Sequence, residues 1–584
     1  MRQVPPAGSP ALNHSQWPDA FRRFVEHRGL SQEQVNQRLA PKLSQLLDPF
    51  SLKSMQRAVD RLVLAHAKQE SVCIYADFDL DGTSGLALLY EGLLALGFRN
   101  LSYYQPKRLA EGYGFHTHAV QALAEKSVRL IVTVDVGITA IAAVEAANTI
   151  GLEVIVTDHH QPAAQLPQAL AVVNPNQPGD QSGLGYLCGA GVAFYLLRAV
   201  RRGLENAGVK TVLDLKDSLD FLTIATLTDM VPLEGDNIPL VKHGLIALTK
   251  TTRPGLRLLM ESLKLHQQPL TAQDVAIRMA PKLNALSRME NGLLPVDLFL
   301  EKSKDKVRGM VELVLANNED RIELQAHGEA EARERLKDWT DKDFVFVSSP
   351  NFHRGVIGLI ATKLSQSHNC PAFVGSESLE DGTSERLIVG SARIPSKDSA
   401  SALLALTAAG SVLNRYGGHH AAAGFELRSG QTDAFIETLR AHFATQSTSG
   451  GSLPKTPYDE KLSAWEVDAD LMQWLEALGP YGVGFEVPVF RLDRLQVTGF
   501  RRLKDIHWKL NLESVPHPQA PMGKVVAFEA LYFSVPTHLR PPDVGDQISI
   551  LGELQWNYFA GSKRLQILVR DLLTLETRFG AEQQ

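Results

Sequence analysis

Three short apolar runs in the first third of the chain each end on acid. "VCIYADFDLDG" (72–82) runs into Asp77, Asp79 and Asp81, "RLIVTVDVG" (129–137) into Asp135, and "LEVIVTDHH" (152–160) into Asp158, His159 and His160. The stretches between them, "TSGLALLYEGLLALG" and "ITAIAAVEAANTIG", read as helices. Strand, helix, strand, helix, strand at this spacing predicts a parallel sheet with right-handed crossovers. Nearly unbroken apolar strands fit a sheet covered on both faces. In such sheets a ligand lies beyond the carboxyl ends of the strands, where these acids and imidazoles fall.

The chain has 584 residues, too many for one core. The first α/β unit is expected over 51–265, after an N-terminal arm of short helices (1–50). A linking region (266–340) contains a long charged helix at 303–338, of a kind that bridges domains. A second α/β unit is expected over 341–445, a Ser/Gly/Pro-rich linker over 446–457, and a β-rich unit of short strands, read as a small barrel, over 458–577. The fold class is therefore α/β with a C-terminal β-barrel of OB type. Three scattered cysteines fit a reduced, cytoplasmic protein without a disulfide frame or zinc site. No apolar run is long enough to span a membrane. The net charge of −6 argues mildly against nucleic acid, but a large enzyme can gather its positive charge in one groove.

Converging like charges raise one another's pKa unless a cation compensates them. Asp77, Asp79, Asp81, Asp135, Asp158, His159 and His160, with Asp229 after the apolar run "FLTIATL", form a mixed carboxylate and imidazole set. Such a set suits Mn²⁺ or Mg²⁺, and the number of acids suits two ions. Two metals about 4 Å apart fit attack of water on a phosphoryl centre. "DFDLDG" also resembles a calcium loop, but Leu88 stands where the bidentate glutamate is required. A haloacid-dehalogenase-type phosphatase, with Asp79 as nucleophile, would leave Asp135 and the histidines idle. Taken singly, Asp135 or Asp229 reads as a helix cap or solvated turn residue.

"DFDLDG", "VTVDVG", "TDHHQP" and "TDMVPL", in that order, resemble the four motifs of the DHH phosphoesterase superfamily. "RMAPKLNALSRM" (278–289), "FHRGVIGLIATKL" (352–364), "GSAR" (390–393) and "YGGHHAAAGF" (416–425) are similar to the RecJ-type single-strand-specific exonucleases, and the likeness runs from about 45 to 575. The resemblance implies two divalent cations, Mn²⁺ or Mg²⁺, held by Asp77, Asp79, Asp81, Asp135, His159 and Asp229. It implies that His160 touches the scissile phosphate while Asp158 orients an imidazole. Arg278, Asn284 and Arg288 remain available for substrate, whereas Lys282 stands for a usual arginine and lacks its bidentate fork.

In the second α/β unit, Gly417 and Gly418 allow backbone N–H groups close to a phosphate, and His419 can donate to its oxygens. His353 and Arg354 precede a helix whose N-terminus favours anions, and Arg393 ends a strand. In the β-rich unit, Trp508, Lys509 and Trp556 are the basic and aromatic candidates for single strands, although aromatics in β-domains are more often core. The resemblance implies a metal-dependent 5′–3′ exonuclease on single-stranded DNA, releasing 5′-mononucleotides in recombination and repair. It also implies single-strand-binding protein and a RecQ-type helicase as partners. The alternatives are a hydrolase of short oligonucleotides or cyclic dinucleotides, and a nucleic-acid-binding protein with a vestigial site.

Overall fold

A computed structural model describes residues 17–289, 293–379, 385–395, 400–444, 456–504, 506–516, 525–536, 539–559 and 562–576. The first sheet contains β1 (Val72–Ala76), β2 (Leu101–Tyr104), β3 (Leu130–Val134), β4 (Glu153–Thr157) and β5 (Ala171–Val173). Its order is β2-β1-β3-β4-β5, with every pairing parallel. Side chains alternate between two cores, as the two-residue period of a strand requires. Val72, Ile74, Leu130, Val132 and Ile155 join one apolar cluster, and Cys73, Tyr75, Ile131, Val154 and Val156 another. Burying each large aliphatic side chain contributes about 1.5–3 kcal/mol. The first cluster continues into the linking region as far as Val314.

The acids sit one step beyond the strands. Asp77 N donates to Val134 O, Asp135 N to Thr157 O and Asp158 N to Val173 O, so the sheet register itself aligns the three positions along one edge. Two glycines let the chain close around them. A β-carbon on Gly82 would lie 2.5 Å from Asp77 O, and one on Gly189 would lie 2.4 Å from Asp135 Cβ.

The helix Lys304–Arg335 begins in the first domain's core through Val307, Val311 and Val314. It ends against the second domain, where a β-carbon on Gly328 would meet Ile360 Cδ1 at 2.4 Å. The second sheet holds β6 (Val345–Ser349), β7 (Ala372–Leu379), β8 (Arg386–Arg393), β9 (Arg415–Gly418) and β10 (Ala422–Arg428) in the order β6-β7-β8-β10-β9. β6 and β7 run parallel and the other pairings are antiparallel. "YGGHHAAAGF" therefore forms the hairpin between β9 and β10.

The last unit has β11 (Glu460–Leu462), β12 (Val489–Leu503), β13 (His507–Ser514), β14 (Ala527–Tyr532), β15 (Gln547–Phe559) and β16 (Ser562–Glu576). Pairing of β12 with β15 closes β12-β13-β14-β16-β15 into a five-stranded barrel, and β11 adds alongside β12. The N-terminal arm packs into this unit's core. Phe21 lies 5.5 Å from Trp474 and Phe24 lies 5.7 Å from Phe490, centroid to centroid. Among the described residues no helix is long and apolar enough to cross a membrane.

Candidate metal centre and substrate cleft

The first sheet's carboxyl edge collects three overlapping sets of ligand atoms, each within 4.8 Å of one another: Asp77, Asp79 and Asp135; Asp81, His159 and Asp229; and Asp135, His159 and His160. His159 Nε2 lies 3.2 Å from Asp135 Oδ1, 3.6 Å from Asp229 Oδ2 and 3.7 Å from Asp81 Oδ2. Asp229 arrives from elsewhere, as the C-cap of the helix Leu219–Thr228.

Asp79, Asp81 and the two histidines are held by the surrounding backbone and side chains. Asp79 Oδ1 caps the helix Leu80–Ala95 by accepting from Asp81 N at 2.8 Å and Gly82 N at 3.0 Å. Asp81 accepts from Gly189 N and Ala190 N, at the positive end of the helix Gly189–Asn206. The backbone carbonyls of His159 and His160 accept from Asn176 Nδ2 and Asn174 Nδ2. Asp77 Oδ1, Asp135 Oδ1 and His159 Nε2 are buried without a hydrogen-bond partner. Native interiors rarely leave such groups unmade.

The electrostatics carry the same demand. Burial first, then the charge of Asp79, raises Asp77. Burial, then Asp81 and Asp79, pushes Asp229 up to about 9. Asp135 is driven well above the ordinary carboxylate range by burial and then by Asp81. A divalent cation between these atoms would remove the repulsion and take the orphaned lone pairs, so the donor set fits hard or borderline cations bound by oxygen and nitrogen.

Asp158 differs from these acids. Its Oδ1 accepts from His159 N, His160 N and His160 Nδ1 at 2.8, 3.1 and 2.7 Å, and its Oδ2 accepts from Ile138 N at 2.9 Å. Burial alone would raise it, but the bond and charge of His160 and these N–H groups hold it below its ordinary value. The carboxylate is therefore used up in fixing the His160 ring. Burial works against the charged ring, yet Asp158 raises His160 to about 9.

Across the edge lies the second domain. His419 stacks on His160, with ring centroids 6.0 Å apart. Burial lowers the pKa of Arg108, Arg288 and Arg393. Arg108 and Arg393 lower Arg288 further and Arg108 lowers Arg393, while the charges of Asp79 and Asp77 work the other way on Arg108. No carboxylate lies within ion-pair distance of any of the three among the described residues. Arg108 lies over Phe78 at 4.8 Å, Arg288 Nη1 donates to Gly355 O, and Arg393 Nη1 to Ser391 Oγ and Ala392 O. Clustered half-buried guanidinium groups with no ion-pair partner make a site for a phosphate.

Models of the DHH family N-terminal domain, the DHHA1 domain and the RecJ OB domain match residues 71–226, 341–445 and 458–571. The single-stranded-DNA-specific exonuclease RecJ of Dickeya dadantii is 30% identical over 573 residues, 96% of each chain. The chain belongs to the RecJ family. Crystal structures of RecJ from Thermus thermophilus in complex with Mn²⁺ and with Mg²⁺ superpose with TM-scores of 0.75 and 0.70, at 28% and 26% identity. Each covers 95% of this chain, which spans 76% and 74% of those chains. Divalent cations are thus the cofactor to which this RecJ-type donor set corresponds.

The other sequence-predicted residues scatter more widely over the RecJ-type scaffold. Gly417 and Gly418 end β9 in the open, and Gly418 has φ +144° with a would-be β-carbon 2.4 Å from Ala423 Cα. His353 Nδ1 accepts from Gly355 N, next to the Arg288 contact. Arg354 Nη2 donates to Ser378 Oγ at a solvent-exposed position. Asn284 is half-buried on the helix Ala280–Met289. Arg278 is tied to Asp274 and to Leu263 O. Trp508 is 4% exposed inside the barrel, Lys509 pairs with Glu529, and Trp556 is half-buried beneath Lys563. Sequence reasoning missed Arg108, Gln105 and Tyr113. Gln105 Nε2 donates to Asp77 O at 2.6 Å, and the Tyr113 hydroxyl lies 3.4 Å from His160 Nδ1. The flanking glycines of "EGYGF" were the available signal for Tyr113: Gly112 and Gly114 have φ +79° and +131°.

Proposed function

We propose that this protein is a cation-dependent exonuclease that removes 5′-mononucleotides from single-stranded DNA, working in the cytoplasm in recombination and repair. The observation that carries the reading is the meeting of two domains over one edge. The carboxylates and His159 of the first face the second, whose His419 lies against His160. Asp77, Asp79, Asp81, Asp135, His159 and Asp229 would hold the cations, with His160 beside them. When bound, the cations supply Lewis acidity and ease deprotonation of the attacking water.

The chain's own groups do the rest. Asp158 fixes the His160 ring and favours its protonated form, which is placed to donate a hydrogen bond to a non-bridging phosphoryl oxygen as negative charge grows there. His419 receives the same phosphate from the other side, and the β9–β10 hairpin offers backbone N–H groups. Arg108, Arg288 and Arg393 gather three positive charges. A terminal 5′-phosphate carries nearly two negative charges against one for an internal diester, so this cluster favours chain ends over interiors. Holding that end fixes the next phosphodiester over the cations, a positioning effect. Single-strand-binding protein and a RecQ-type helicase would supply such strands.

The test is degradation of end-labelled single-stranded and duplex oligomers with Mn²⁺, Mg²⁺ or chelator. The expected result is release of the 5′ label as mononucleotide from single strands alone, abolished by chelator. Activity confined to dinucleotides or trinucleotides, or metal-independent cleavage, would overturn the reading.

A further inference from the structure

Asp229 ends its helix, and the chain turns sharply after it, with Met230 in the left-handed region at φ +59°. The strap that follows is pinned from three sides. Within the first domain, Asn237 Nδ2 donates to Pro232 O at 2.9 Å and to Tyr186 O at 2.7 Å. From the C-terminal domain, Val483 O accepts from Leu233 N at 2.8 Å, inside a turn whose ends, Gly482 and Phe485, bridge each other. From the N-terminal arm, Arg38 Nη2 donates to Leu233 O at 2.8 Å, while its guanidinium lies 3.5 Å from the Phe485 ring centre. Leu233 is thus gripped at both its N–H and its C=O by parts of the chain outside the first domain.

Arg38 is an unusual choice for packing alone. It is 7% exposed, its Nη1 lacks a partner, and no carboxylate pairs with it among the described residues. Burial pushes its pKa down to about 10. A buried guanidinium with no ion-pair partner, only the more distant charge of Glu234, costs free energy that an apolar side chain of the same volume would not. Its direct return is the bond to the O of Leu233, four residues after a candidate cation ligand, and the stack on Phe485 in the turn that holds Leu233 N.

We propose that Arg38 and the Gly482–Phe485 turn are positioning elements for Asp229, so that seating of the C-terminal domain and N-terminal arm sets where that carboxylate stands in the cation site. This rests on the reading of Asp229 as a cation ligand. The C-terminal domain then has a second role besides holding a strand. It shapes the cation site even for substrates too short to reach the barrel.

The experiment measures Mn²⁺ affinity by calorimetry on the full-length chain, below the melting temperature of every variant, together with hydrogen exchange over 229–235. Arg38→Met removes the donor and keeps the bulk. Gly482→Val crowds Leu233, since even a β-carbon there would lie 2.8 Å from Leu233 Cδ1. Arg23→Gln is the control: it breaks pairs to Glu460 and Glu466 in the same interdomain contact, away from the strap. Arg38→Met and Gly482→Val should each raise the Mn²⁺ dissociation constant roughly threefold to tenfold, less than the roughly 10–100-fold of a residue bonded to a ligand itself. Both should also speed exchange in the strap. Arg23→Gln should lower the melting temperature alone. If Arg38→Met does not fold, Gly482→Val carries the test. Wild-type Mn²⁺ affinity and exchange in these variants, with binding lost in Asp229→Ala, would overturn this inference and leave the cation site standing. Wild-type Mn²⁺ binding in Asp229→Ala would instead remove the reading beneath it.

Discussion

His419 lies face to face with His160, the ring centroids 6.0 Å apart and the planes 13° from parallel. The two rings belong to different sheets, and their protons are held differently. His160 is raised to about 9 by Asp158 in spite of burial, whereas burial and then the charge of His160 lower His419. The pair thus places an Asp158-held ring and a second imidazole on either side of a phosphate between the domains. His419→Ala should slow single-turnover cleavage by about 10²-fold or more, the scale of losing one donor to a developing charge. Calorimetry should find Mn²⁺ binding unchanged, because His419 belongs to none of the clustered ligand sets. A variant that loses both together would show that His419 acts through the cation site instead.

Asp229 gives a signed pH dependence. Its folded-state pKa, about 9, stands above the ordinary carboxyl value because of burial and then Asp81 and Asp79. For a raised pKa, the stabilising contribution is full below the unfolded value and is lost as pH rises through the folded one. In chelator, Asp229→Asn should therefore melt above the wild type, with the gap widening from pH 6 to 9. Mn²⁺ should reverse the order, since the cation prefers the ionised site. Melting curves in both buffers check this, and a gap independent of pH contradicts it.

The three arginines predict an end preference. Burial and then Arg108, Arg393 and Arg321 push Arg288 down to about 9, so the empty cluster opposes folding. Arg288→Met should raise the melting temperature of the free protein. It should also raise KM for 5′-phosphorylated oligomers roughly tenfold to a hundredfold, the worth of a charged hydrogen bond, and leave 5′-hydroxyl oligomers little changed. Equal losses on both ends would assign the cluster to internal phosphates.

The gathering of acids and imidazoles at one edge was legible in the sequence because strand periodicity and register are local rules: an acid just past an apolar run falls at the sheet edge wherever neighbouring strands stay in register. Asp229 was legible by its motif, although it arrives on a helix end. Arg108 was not, since it lies in an irregular loop after β2, where no period assigns a direction to a side chain. The packing of residues 17–39 into the C-terminal core was equally hidden, because a short amphipathic helix shows which face is apolar but not what covers it. "RYGG" holds two glycines, which are poor strand formers, yet β9 pairs with β10, where the partner strand decides and not intrinsic propensity.

Single-strand binding by the barrel separates two classes of aromatic. Trp508 is 4% exposed, with Phe500 and Tyr532 edge-on to its ring, and its indole is part of the core. Phe533 and Ile506, by contrast, are 50% and 56% exposed at one end of the β12–β13–β14 meander, near the exposed Arg501, Arg502 and Lys504. Tyr558 is also exposed, with Lys563 Nζ 5.6 Å from its ring. A base can stack only on a ring that has a free face, so Phe533 and Tyr558 are the better contacts. Trp508→Ala should cost about 3–5 kcal/mol of stability through the cavity it leaves. Phe533→Ala should leave the melting temperature alone and weaken binding of a long single strand by roughly tenfold, the loss of one stacked base. Cleavage of a trinucleotide should be unaffected, since so short a strand held at the cation edge has no length left for the barrel. Fluorescence anisotropy with long and short strands decides the matter: equal weakening on both would place Phe533 outside the strand's path and return its effect to the fold.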